Sequence, residues 1–229
     1  MCLRLCFRPL LVVCSLFCAP AHAATDTGRA VLAAHSACNG SLFKALTADA
    51  ARWKKEPSFI RVGKLASFKV EDRSPKEYSG NSTKAAVEFA KPPQISGLPL
   101  EGWFDADLSA WSRFADAGVG FVGWGFYVAA SPANIRDAMV RIAPAIGKRL
   151  QPSTAPKEGV FCIEETWRDG KWHDHACTAD EDFPTDPTPH RWLVIRPDGP
   201  ESDRSVLSCE LAGKLPQDLL RQLRPDLPM

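Results

Sequence analysis

Residues 119–129 read Val-Gly-Phe-Val-Gly-Trp-Gly-Phe-Tyr-Val-Ala, the most apolar run of the chain beyond its N-terminus and one rich in β-branched and aromatic residues. Such side chains fit a pleated, buried surface, so the run predicts a central β-strand. With period two, Val122, Trp124, Phe126 and Val128 share one face, and Phe121, Gly123, Gly125 and Tyr127 share the other. Both faces are apolar and both need a cover. Gly123 and Gly125, bracketed by Phe121 and Tyr127, leave a trough in which another element can approach the backbone closely.

The N-terminus has the pattern of a secretory signal. Arg4 and Arg8 are its charged region, Leu10 to Phe17 its apolar region, and Ala21-His22-Ala23 its small-x-small cleavage site. Residues 1–23 are therefore expected to be removed, leaving a mature chain that is periplasmic or secreted. Cys14 follows Val13 and Cys18 follows Phe17, which are not the small residues a lipoprotein needs before its modified cysteine. The apolar run is too short for a membrane span, and no later segment approaches one. Cleavage removes two basic residues and no acidic one, so the mature chain is close to neutral. No run of lysine or arginine favours nucleic acid as a partner.

Four of the eight cysteines leave with the signal; Cys38, Cys162, Cys177 and Cys209 remain. An even number in an exported chain predicts two disulfides with three possible connectivities. Residues 24–57 read as a helical segment: Ala30 to Ala37 stops at Asn39-Gly40, and Ser41 caps a second helix carrying Leu42, Leu46, Ala50 and Trp53. Residues 58–229 read as an α+β domain, with a split into sub-domains open near 150–158. A strand or hairpin is expected over Ile60 to Val70, and a short strand over Ala85 to Phe89. Residues 98–117 fit either a helix entered at Asp105 or a strand, Ala110 to Phe114, folding back on the central one; the hairpin is favoured because it protects the strand's flank.

Ser131-Pro132 then caps an amphipathic helix marked by Ile135, Met139, Ile142 and Ile146, which Pro144 should end or kink. Strands are expected over Val160–Arg168, Trp172–Thr178, Trp192–Ile195 and Ser205–Leu211, with a short helix from Pro216 to Leu223. Strand runs followed by helices predict a mostly antiparallel sheet, not a doubly wound fold.

Chemistry-bearing residues concentrate between Cys162 and Cys177. Asp169-Gly170 is a two-residue hairpin turn, and it places Cys162 opposite Cys177, Trp167 opposite Trp172, Glu164 opposite His175 and Thr166 opposite His173. This register favours a Cys162–Cys177 bridge and leaves Cys38 for Cys209. It also puts the cysteines at a hydrogen-bonded pair, slightly wide for a disulfide unless a bulge intervenes. Glu164, His173 and His175 on one face form a candidate metal set, against the plainer reading of a polar outer face. Glu165 and Asp174, on the other face, are candidates for an acid–base pair. Trp167, Arg168 and Trp172 form a candidate partner-binding tip. Gly118-Val-Gly-Phe-Val-Gly123 matches the spacing of a dinucleotide fingerprint, but its glycines lie inside the strand with no helix opening after them. No cofactor is implied. His35 and His190 read as isolated packing or surface residues.

Gly123-Trp-Gly-Phe-Tyr127, the basic turn Lys148-Arg149-Leu150 after the helix, and the proline-marked loop into Gly159-Val-Phe-Cys-Ile163 resemble the later part of the periplasmic immunity proteins that protect bacteria from type VI secretion lipase effectors. At the amino-terminal end Cys38-Asn-Gly-Ser-Leu departs from the Cys-x-Gly-Arg-Phe segment associated with that family. The resemblance implies a non-catalytic protein that blocks a toxin. Two functional readings stand: a periplasmic binding or inhibitor protein whose partner is a protein toxin or another envelope protein, and an envelope hydrolase or metal-handling protein using Glu164, His173 and His175.

Overall fold

The structure, a computed structural model, describes residues 21–48, 87–107, 118–154, 159–178, 187–199 and 202–226. Among the described residues nine strands form a mostly antiparallel sheet that curls into a half-barrel, with a few helices packed on it. In chain order the elements are α1 (Ala21–Ser36), α2 (Ser41–Ala48), β1 (Val87–Glu88), β2 (Gln94–Ile95), β3 (Leu98–Asp107), β4 (Gly120–Val128), α3 (Pro132–Ile142), α4 (Pro144–Gly147), β5 (Gln151–Pro152), β6 (Phe161–Arg168), β7 (Lys171–His175), β8 (His190–Pro197), β9 (Ser205–Gly213) and α5 (Gln217–Leu223). The strand order is β1-β3-β4-β9-β8-β6-β5, with β2 also on β3 and β7 also on β6. Strands from both sides of residues 150–158 thus share one sheet.

The apolar run is the interior strand β4, between β3 and β9. Its two faces are covered differently. Val122, Trp124, Phe126 and Val128 belong to the main core, where they meet Leu32, Leu42 and Phe43 of the N-terminal helices, Ile135 and Met139 of α3, and Leu219 and Leu223 of α5. Phe121 and Tyr127 join smaller clusters on the far side. The trough at Gly123 and Gly125 is filled from within: ideal Cβ atoms there would come within 3.3 Å of the Phe121 ring and 3.0 Å of the Phe104 ring.

Ser131 Oγ accepts a hydrogen bond from the Asn134 amide at 3.3 Å, and Pro132 opens α3, whose Ile135, Ala138, Met139 and Ile142 are buried. Lacking an amide hydrogen, Pro144 cannot extend that helix and starts α4 instead. The flank of β4 is protected by Leu98–Asp107, upstream of the strand expected at Ala110–Phe114. Asp105, the entry of the less favoured helical alternative, lies inside β3: Trp103, Phe104 and Ala106 need burial more than Asp105 needs a cap, and Asp105 has its own buried partner. Ala110–Phe114 and the strand or hairpin expected over Ile60–Val70 lie outside the described residues.

Candidate functional site

Asp169 (φ 51°) and Gly170 (φ 74°) both lie in the left-handed region, the conformation of a type I′ hairpin turn. They set the β6–β7 register: Arg168 faces Lys171, Trp167 faces Trp172, Thr166 faces His173, Glu165 faces Asp174 and Glu164 faces His175. The ladder stops there. Beyond His175, β5 takes the place beside β6, pairing Gln151 with Cys162, while the Thr154 amide donates to Cys177 O at 2.9 Å. Opening the ladder before the cysteines, with no bulge, frees them to bridge, Cα to Cα 5.6 Å. Cys38 and Cys209, 5.3 Å apart, tie the end of α1 to β9.

On one face of the hairpin, Glu165 and Asp174 do not work as a carboxylate pair. Arg149 Nη2 donates to Glu165 Oε1 at 2.8 Å and also reaches Asp174, and Arg191 Nε donates to Glu165 Oε2 at 2.8 Å. Two cations hold Glu165 and one of them also holds Asp174, so each carboxylate faces a guanidinium and not a free partner carboxyl. Arg191 also lies 4.4 Å over the Trp172 ring. Trp167 and Trp172 pack edge to face at 5.2 Å and lie half-buried against the main core, so the indoles do not stand free at the tip. Arg168, Asp169, Gly170 and Lys171 are what the tip exposes. Beside this network a cavity of about 200 Å³ is lined by Ala37, Cys38, Ile163, Leu193, Arg149 and Arg191.

On the other face Glu164 is buried, its side chain 2 % exposed. Thr178 donates to Oε2 from both its amide and its hydroxyl, each at 2.8 Å. His175 Nδ1 lies 3.3 Å and His190 Nδ1 3.4 Å from Oε1. Burial alone would raise this carboxyl, but hydrogen bonds from His190, Thr178 and Trp192 outweigh it and hold the group below its ordinary value. His190 is therefore part of the cluster and not an isolated residue; it also stacks on Trp192, ring centroids 5.2 Å apart. His173 stays exposed opposite Thr166. Among the described residues, no group of three or more His, Cys, Asp or Glu is arranged to hold a metal ion.

His190 and Trp192 escaped the sequence reading because β8 joins β6 on its other edge, with β7 and a long connection between them. Only the pairing of Thr166 with His190 and Glu164 with Trp192 makes them neighbours. A second buried carboxylate on this face, Glu210, is met by Arg196 at 3.0 Å and by Ser208 Oγ at 2.8 Å.

His35 is buried between Trp103 and Phe126, and its Nε2–H donates to Leu207 O at 3.2 Å. Burial disfavours the imidazolium and brings its pKa down to about 4. Of the two expectations for it, packing and surface, packing holds. No helix among the described residues is long and apolar enough to cross a membrane. No protein-family model, no curated protein and no solved structure matches this chain.

Proposed function

We propose that this chain is a non-catalytic, exported binding or inhibitor protein of the immunity type, and that the β6–β7 hairpin is its contact element. The observation that carries the reading is how the hairpin is held. A disulfide closes its base, Trp167 and Trp172 seat it on the core, and Arg149 and Arg191 pin Glu165 and Asp174. Its turn nonetheless presents Arg168, Asp169 and Lys171 to solvent. A rigid charged tip loses little conformational freedom on docking, which favours affinity for a protein partner. The resemblance over Gly123–Tyr127, Lys148–Leu150 and Gly159–Ile163 supports a toxin as that partner.

The test is protection. Lipase effectors of type VI systems are directed to the periplasm of a sensitive bacterium with and without this chain. Wild type should restore growth, and an Arg168→Ala/Lys171→Ala variant with unchanged melting temperature should restore less. Failure to protect against any effector, with the chain exported and oxidised, overturns the reading.

The alternative, an envelope hydrolase or metal-handling protein, has one observation behind its hydrolase half: the buried Glu164 sits between the imidazoles of His175 and His190. Metal analysis of the purified chain, together with hydrolysis assays on Glu164→Gln, separates it from the first.

A further inference from the structure

We infer that the outer edge of β7 is a docking edge for an extended, acidic segment of the partner protein, added to the sheet as one more strand. The inference rests on the reading of the chain as a binding protein and specifies the partner's chemistry.

Three observations carry it. First, among the described residues β7 pairs with β6 alone. The Trp167 amide donates to Pro189 O at 2.8 Å, on the side of β6 away from β7, so Trp167 and Trp172 form a pair whose backbone groups point away from each other. By the same alternation Trp172 and Asp174 aim their N–H and C=O groups off the sheet, where they take no hydrogen bond among the described residues. Second, the edge is bounded. Thr154 closes it at Cys177, and the Asp169-Gly170 turn closes it at the other end, leaving room for one short strand. Third, one face beside it bears two cations and two imidazoles and no exposed carboxylate. Arg168, Lys171, His173 and His175 share a face and are exposed, whereas the carboxylate on that face, Glu164, is buried. On the opposite face of β7, Asp174 is exposed and is paired with Arg149.

Main-chain bonds at Trp172 and Asp174 would supply affinity, and alternate acidic side chains facing Lys171 and His173 would supply selectivity and register.

The experiment uses the full oxidised chain and a synthetic peptide in which glutamate alternates with threonine, its binding followed by amide NMR and titration. The amides of Trp172 and Asp174 should shift and become protected. A peptide with lysine for glutamate should bind at least about tenfold more weakly, as should Lys171→Glu with the acidic peptide. Asp174→Pro removes an outward N–H without removing a hairpin bond, as proline allows on an edge strand, and should abolish binding, whereas Asp174→Asn should bind as well as wild type or better. Should Asp174→Pro disturb the hairpin, the acidic peptide N-methylated at alternate residues gives the same test from the ligand side and should not bind.

Equal binding by the two peptides, retained binding by Asp174→Pro or by the N-methylated peptide, no binding of the acidic peptide, or β7-to-β7 dimers in sedimentation would each overturn the inference. Protection against a toxin with no edge binding would overturn the edge alone and leave the inhibitor reading in place.

Discussion

Arg224 grips Asp105 with both ends of its guanidinium, Nη1 to Oδ1 at 3.1 Å and Nη2 to Oδ2 at 2.8 Å, inside the core. Asp226 binds the same guanidinium, which lies 4.6 Å over the Phe43 ring and 4.9 Å over the Trp124 ring. The residue after α5 is thereby fastened to β3, to β4 and to the N-terminal helices. Removing one partner of a buried pair strands the other charge, at a cost of about 3–5 kcal/mol. Arg224→Met, which strands Asp105 and Asp226 together, should lower stability by that order in urea melts, whereas Asp105→Ala leaves Arg224 paired with Asp226 and should cost less. The joint change Asp105→Leu/Arg224→Met should cost less than Arg224→Met alone, and a simple sum of the two single losses would show that the pair is not coupled.

Gly125 is where β9 comes too close for a side chain. An added Cβ would fall 2.3 Å from Leu207 O and 2.8 Å from Ser208 Cα, both main-chain atoms of the paired strand. Gly125→Ala should therefore cost about 2–3 kcal/mol, through a shift of the ladder or its local loss. Gly123→Ala meets only the edge of the Phe121 ring at 3.3 Å and should be milder. Thermal melts of the two variants check the order.

Much of this architecture follows from local signals. The β4 run, the Ser131-Pro132 cap and the Asp169-Gly170 turn each act over a few residues, and the turn carried the hairpin register with it. The Arg224–Asp105 pair was not legible, because its members lie 119 residues apart and are joined only through packing. His190 was missed because it meets Glu164 only through the pairing of β8 with β6 across a long connection. The strand at Leu98–Asp107 was obscured because Pro99, Gly102, Asp105 and Asp107 interrupt the apolar alternation that usually marks one, and because a register shift between Leu100 and Gly102 breaks the period.

Trp124 and Trp172 offer a contrast of depth. Trp124 is fully buried beneath Arg224, whereas Trp172 is half-buried at the hairpin. Trp124→Ala should cost about 3–5 kcal/mol. Trp172→Ala should cost clearly less, since its loss opens no closed cavity. Equal melting losses would show that the hairpin is as central to stability as β4.

The disulfides should differ in weight. Cys38–Cys209 spans 171 residues and Cys162–Cys177 spans 15. Constraint of the unfolded chain grows with loop length, giving upper figures of about 5 and about 3 kcal/mol. The Cys38→Ser/Cys209→Ser variant should melt lower than Cys162→Ser/Cys177→Ser. Peptide mapping of the exported chain should recover both bridges, and free Cys162 and Cys177 there would contradict the structure.

Acid should weaken the fold in two stages. His35 has a folded pKa of about 4 against an ordinary 6.5. Between those values the unfolded chain binds the proton that the folded chain refuses, so stability falls as pH drops from 6.5 and levels off below 4. The shift corresponds to about 3 kcal/mol. Glu164 acts lower. Its folded pKa lies below the ordinary 4.5, so its contribution is present above 4.5 and is lost as pH falls through the folded value. His35→Gln keeps a donor for Leu207 O but cannot titrate, so its urea midpoint should change less than that of wild type between pH 7 and pH 4.5. Glu164→Gln should flatten only the fall below that range. A His35→Gln midpoint that tracks wild type across the upper window would mean that His35 already sits where it can accept a proton, and that the burial argument is wrong.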